Sequence, residues 1–238
     1  MKAFWVLLKT ETKLAIRDGN MLFFGVLFPV AVMLLLGFIS PAEARAAALA
    51  GTASIGICAA GLMGVPLTFA SYRHGKVLRR LKATPASPLV LFLAVSALQA
   101  AFALASAIAV YLVARFGFGV GIAGPAHRVA FAIVLSLASS FGLGYLVASL
   151  APDTQKANLA CTVLYFPALF LSGATVPSRV LPGAVRAVAE AFPLTQGIKL
   201  LEAAIVGSPW GAEPVRVVAL AAVTVISCGV SLTFFRWD

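Results

Sequence analysis

Charged residues fall in the gaps of this chain and leave six long apolar stretches between them. These are residues 21–40, 46–71, 89–114, 129–151, 157–178 and 217–235, and none contains Asp, Glu, Lys or Arg. About 20 helical residues cover the ~30 Å hydrocarbon core of a bilayer. A charge at mid-depth costs roughly 2.5–3.5 kcal/mol on insertion scales. The pattern therefore predicts an all-α integral membrane protein with six transmembrane helices. It reads as a single transmembrane domain over 1–238. Residues 1–20 form an interfacial helix, 21–178 the first five spans, 179–214 an outer re-entrant segment, and 215–238 the sixth span and tail.

Residues 3–17 show a different period. Lys9, Lys13 and Arg17 recur every fourth residue on one helical face, with Phe4, Trp5 and Leu8 on another. Such a helix lies in the headgroup region, and Asp18-Gly19-Asn20 ends it. No continuous apolar run precedes the first span, so that span is expected to act as an uncleaved anchor. Pro29, Pro66 and Pro167 interrupt hydrogen bonding inside three spans. Small residues at four-residue spacing, Ala60/Gly64 and Ser136/Ser140/Gly144/Ala148, offer faces for close helix contact.

The segment 179–214 breaks at Leu181-Pro182-Gly183, Phe192-Pro193 and Gly207-Ser208-Pro209. Two short helices fit between these marks, at 182–191 and 193–206, each opened by a proline. Both are too short to cross. They carry Glu190 and Glu202, which are costly at membrane depth, so an outer re-entrant pair with both acids near the surface is expected.

Charge sets orientation. With the N-terminus inside, eleven Lys and Arg lie in cytoplasmic segments and seven outside. The first two inside segments hold nine, against one in the first outside loop. Both termini are therefore placed in the cytoplasm of a bacterial cell membrane. The chain is 61% hydrophobic with a mean hydropathy of +1.02, so its net charge of +10 is topogenic and lipid-facing, and no nucleic-acid partner is expected. Cys58, Cys161 and Cys228 lie in different spans and His74 and His127 in different loops, which predicts no disulfide and no metal.

No phosphate-binding Gly-x-x-x-x-Gly-Lys-Ser/Thr motif occurs, and the eight acids all lie outside the spans. No catalytic or cofactor-binding set is expected in the chain. The absence of intramembrane carboxylate or histidine disfavours proton coupling. The bulkier polar residues within spans are Gln99 and Asn158.

The loop 72–88 is the most informative segment. It holds five basic residues and no acid, and Val77, Leu78 and Leu81 form one apolar stripe on a short helix ended by Pro85 and Pro88. Such a helix can dock into a soluble partner. A basic loop that only sets topology is the plainer reading, and the residues leave both open.

Three segments resemble the permease subunit of type-2 ATP-binding-cassette exporters, the group that includes drug-resistance, nodulation-factor and polysaccharide export permeases. They are Leu14 to Phe24 running on to Pro29; Gly75 to Pro88; and Phe170 to Ala174 with Leu181-Pro182-Gly183 and Phe192 to Thr195. The resemblance implies a homodimer with two copies of a separate ATPase subunit, which would hold ATP and Mg. It makes 73–82 the coupling helix, with Arg73, His74, Lys76, Val77, Leu78, Arg79, Arg80 and Leu81 at the ATPase. Relatives often carry acids just before the coupling glycine, where this chain has Tyr72, Arg73 and His74.

The expected function is outward transport of an amphipathic or hydrophobic molecule: a drug-like compound, a lipid or a lipid-linked glycan. Asn158, Thr162, Tyr165, Phe166, Leu169 and Phe170 are the candidates for its path, with plain helix packing as the alternative for Tyr165, Phe166 and Leu169. An ATP-independent carrier and a lipid-binding assembly protein are the competing functional classes.

Overall fold

The computed structural model describes residues 2–17, 19–77, 88–175, 182–209 and 213–234, and every regular element among them is helical. α1 (Lys2–Arg17) is followed by α2 (Gly19–Leu22), a π-turn (Phe23–Leu27) and α3 (Phe28–Ile39). A 3-10 turn (Ala42–Ala44) enters α4 (Arg45–Ala59), a second π-turn (Ala60–Gly64) and α5 (Val65–His74). Then come α6 (Pro88–Phe118), α7 (Ala126–Leu150), α8 (Thr154–Leu171), α9 (Gly183–Glu190), α10 (Pro193–Val206) and α11 (Glu213–Phe234).

Among the described residues, four helices are long and apolar enough to cross a membrane: Ala42–His74, Val90–Phe118, Ala126–Leu150 and Glu213–Phe234. The two other expected spans form shorter or more polar helices. Phe23–Ile39 is an apolar helix below that length. Within the stretch expected at 157–178, α8 ends at Leu171, where Ser172 and Gly173, the latter with φ at +88°, turn the chain; residues 176–178 lie outside the described residues. At its other end α8 reaches back to Thr154, capped by the Asp153 carboxylate, which accepts from the Lys156 N–H.

Pro29 and Pro66 do not break their helices. A proline ring crowds the carbonyl four residues earlier and lacks an N–H. In both helices a five-residue π-turn ends just before the proline, with Phe28 N–H bonded to Phe23 O and Val65 N–H to Ala60 O. Widening the turn lets the backbone pass the proline without a kinked end.

The long helix Ala42–His74 is the centre of the bundle. The most apolar part of it is 89% buried, against 17% for Glu213–Phe234. Residues 48–59 are all buried and mostly Ala, Gly, Ser, Thr and Ile, so neighbouring backbones come close on several sides. Gly51 lies against the Ala174 backbone, Gly56 against Ser106 and Gly61 against Ser140. The small-residue faces read from sequence do meet partners. Ser140 and Gly144 of α7 pack on Gly61, Ser136 on Gly197 of α10, and Gly64 on the Gln99 amide.

α10 is wedged among α4, α7 and α11, with Leu194, Ile198, Leu201 and Ile205 in the main core. Its expected start at Pro193 holds, and it ends at Gly207 with φ at +79°, a left-handed cap that glycine supplies without strain. The loop before α7 is tied to it: Ala123 N–H and Gly124 N–H both donate to Ile205 O, at 2.9 and 3.2 Å. On the same end, Arg45 lies 5.6 Å over the Phe118 ring and donates to the Phe118 carbonyl.

Candidate functional site: coupling segment, membrane cavities and outer helix pair

The end of the bundle that carries α1 is built on aromatic rings. Phe69 stacks on Phe92 at 4.6 Å, and Tyr145 meets both rings at 5.7 and 5.3 Å. Tyr72 completes the cluster, and Leu7 of α1 packs on it. The Ser96 and Tyr145 hydroxyls bond one another between α6 and α7.

The coupling residues divide around this cluster. Arg73 and His74 are the last turn of α5, so they do not begin the loop helix expected at 73–82. Gly75 and Lys76 turn the chain, with Lys76 at φ +55°, a left-handed position that costs a side-chain-bearing residue strain. Arg73 is turned inward: its guanidinium donates to the carbonyls of Ala148 (3.1 Å) and Ala151 (2.5 Å), capping the end of α7. His74 and Lys76 are exposed. Val77 is half-buried against the aromatic cluster, so at least part of its apolar surface is spent inside this chain. Leu78, Arg79, Arg80 and Leu81 lie outside the described residues.

α1 packs chiefly along α6. It buries Glu11, 8% exposed, near Tyr72. Burial holds the Glu11 pKa above the usual carboxylate range, partly opposed by Tyr72. A raised folded-state pKa means the folded protein binds this proton more readily than the unfolded chain. The docking of α1 is thus strongest below the ordinary carboxylate pKa and weakens as pH rises through the folded value. Glu11→Gln is expected to remove that slope and to gain up to ~1 kcal/mol at neutral pH. Melting curves across acidic to neutral pH check this; a variant with the parent's slope counts against it.

The path candidates on α8 do not share one face. Tyr165 and Leu169 are 1% exposed and belong to the main core. Thr162 is half-buried, while Asn158, Phe166 and Phe170 are exposed. The cavity beside α8, about 420 Å³, is lined instead by its Leu164 and Ala168. Leu62 and Ser140 form its floor, Val223 and Ile226 of α11 its far wall, and Phe192 with Leu194 its cap. Sequence periodicity alone could have chosen either face of α8. Only the positions of α7 and α11 decide which one meets a cavity.

The expected pair of short helices forms within a residue of its expected boundaries, α9 at Gly183–Glu190 and α10 at Pro193–Val206. The connection between them is internally bonded: Thr195 Oγ1 donates to Ala189 O at 2.6 Å, and Gln196 Nε2 to Glu190 O at 2.5 Å. Glu190 is exposed and pairs with Lys199 at 2.8 Å. That hydrogen bond and charge hold its carboxyl below the usual range, with Arg186 and Arg216 adding to the effect. Glu202 is half-buried.

One pair escaped the sequence reading. Glu213 opens α11 and is 4% exposed, with Arg216 donating from Nη1 to both of its carboxylate oxygens at 2.8 and 2.9 Å. The i,i+3 spacing was the available signal, but the expected span began only at 217.

A helical bundle with four apolar spans, a basic turn at one end and a wedged helix pair near the other defines a multi-pass membrane protein. The sequence of residues 2–206 matches the family described as ABC-2 type transporter, and the chain belongs to that family. It is also similar to Nodulation protein J of Rhizobium meliloti (strain 1021), at 32% identity over 94 residues. That match covers 40% of this chain and 36% of the relative's length.

Proposed function

We propose that this chain is the membrane subunit of an ATP-driven exporter for an amphipathic or hydrophobic molecule. The observation that carries the reading is the family match over residues 2–206, which runs from the interfacial helix through the basic turn to the outer pair. In this reading Phe23–Ile39, extended by α2, and Thr154–Leu171 complete six spans, each helped across by tilt or local thinning of the bilayer. Both termini are cytoplasmic, and α9 and α10 enter the outer leaflet without crossing it. Two copies pair, and each rests on one ATPase subunit, where ATP and Mg bind. ATP-driven closure of the ATPases would move the two bundles between inward-open and outward-open arrangements. The apolar cavity beneath Phe192 and Leu194 suits the exit of a lipophilic substrate, which would pass Leu164 and Ala168.

The coupling segment supplies the test. Leu78→Asp is expected to abolish ATP-driven export or to release the ATPase on copurification, while insertion in the membrane stays normal. Buried apolar anchors carry most interface energy, and rim charges such as those of Arg79 and Arg80 carry less. Undiminished export by that variant would leave the loop a topogenic element only. Crosslinking should give a species of twice the 24.6 kDa subunit, and cysteines at positions 87 and 123 should label from opposite sides.

A further inference from the structure

A second cavity lies nearer the α1 end and contains a polar group the fold leaves unanswered. Gln99 of α6 is 2% exposed, and its Oε1 has no hydrogen-bond partner. The residue lines a space of about 370 Å³ formed by the first π-turn, the long central helix and α6. Phe24 and Gly25 form one wall, Met63, Gly64 and Leu67 another, and Phe102 a third. Seven residues beyond Gln99, on the same face of α6, Ser106 Oγ is likewise buried and unpaired, and it abuts Gly56, which lines the cavity. Thr68 and exposed Ser71 also line it; they donate to the Gly64 and Thr68 carbonyls at 2.7 and 2.8 Å, so their oxygens face ligands only as acceptors.

A buried acceptor without a donor is costly, and a native fold tolerates it where function supplies the partner. A water needs two to four polar partners, which this mostly apolar space does not gather around Gln99. Among the described residues no charged side chain lines the cavity, so the lining offers a charged ligand no counter-ion there. The volume lies at the low end of ligand pockets, which run from about 300 to 1,000 Å³. We infer that this cavity is a binding site for a neutral single-chain amphiphile drawn from the bilayer, whose O–H or N–H donates to Gln99 Oε1. Its chain lies along Phe24, Met63, Leu67 and Phe102. The site is distinct from the path beside α8 and does not depend on the direction or energy source of transport.

The test uses the permease in nanodiscs and a dodecanol probe carrying a mid-chain diazirine. Illumination followed by peptide mass spectrometry should place adducts within 56–71 and at Phe102. Unlabelled dodecanol should compete, and dodecyl methyl ether, which cannot donate, should compete about tenfold less well. Gln99→Met keeps the length of the side chain and removes the acceptor; it should melt no lower than the parent and label about tenfold less. Leu67→Trp, which puts a larger side chain into the lining, should abolish these adducts. Equal competition by the ether, or full labelling of Gln99→Met, would show a cavity filled by lipid without recognition, and adducts confined to other segments would show the wrong site. Labelling is read without the ATPase, so failure of the parent permease and its ATPase to drive any ATP-dependent export would sink the exporter reading and leave this one standing.

Discussion

Alanine in place of Gly144 is expected to destabilise the protein by about 1–3 kcal/mol, toward the upper end of that range for overpacked cores. The added methyl would collide with the carbonyl oxygen of Gly61. That oxygen belongs to the second π-turn, so it cannot rotate away as a side chain would. Relief requires α7 to move off the central helix, and the same seam carries Ser140 against Gly61. Gly142→Ala is the matched control. It lies two residues away on the same helix, where an added methyl meets Ser227 and Thr224 at an ordinary 3.4 Å. Thermal melts in detergent should show Gly144→Ala lowered by about 5 °C or more, with Gly142→Ala within a few degrees of the parent. Equal melting of the two variants would mean that this seam is not closely packed.

Removing the guanidinium at position 216 should have an effect of similar size. Arg216→Met leaves the Glu213 carboxylate, 5% exposed in its side chain, without its bidentate partner. Breaking a buried pair by losing one member costs about 3–5 kcal/mol. Because Arg216 itself keeps 24% of its surface, the lower end, about 3 kcal/mol, is expected. The double variant Glu213→Leu/Arg216→Met removes both charges and should recover most of the loss, since a well-packed apolar pair is often no worse than the ion pair. Melting of the parent, both singles and the double completes the cycle. A double variant as unstable as Arg216→Met would show that the bridge itself, rather than the stranded carboxylate, matters.

Much of the architecture is written in local chemistry. A chain that must satisfy its backbone in hydrocarbon has only helices available to it here, and clean apolar runs say where they lie. Pro193 and Gly207 set α10 because each acts on its own backbone angles. The period of Lys9, Lys13 and Arg17 likewise made α1 legible without any partner. Where charge and turn signals were indirect, the boundaries moved: Arg73 and His74 went to α5, and α8 ends at Leu171 within the stretch expected to run to 178.

The tertiary structure decided everything that depends on which faces meet. Whether Pro29 and Pro66 would break, kink or widen their helices is a matter of neighbouring packing, and the outcome was two matching π-turns. Tyr165 and Phe166 are adjacent aromatic residues of one apolar stretch, yet one is buried and the other exposed, because α8 is covered on only part of its circumference. Gln99 is visible in the sequence as a polar residue in a span, but only the fold places its amide against Gly64 of another helix. The sequence by itself determined a helical membrane protein, its basic turn and the bounds of α9 and α10, since propensity and transfer free energy act residue by residue. The cavities and the Gly61–Gly144 seam required the fold, because each exists only between residues that the chain brings together at a distance.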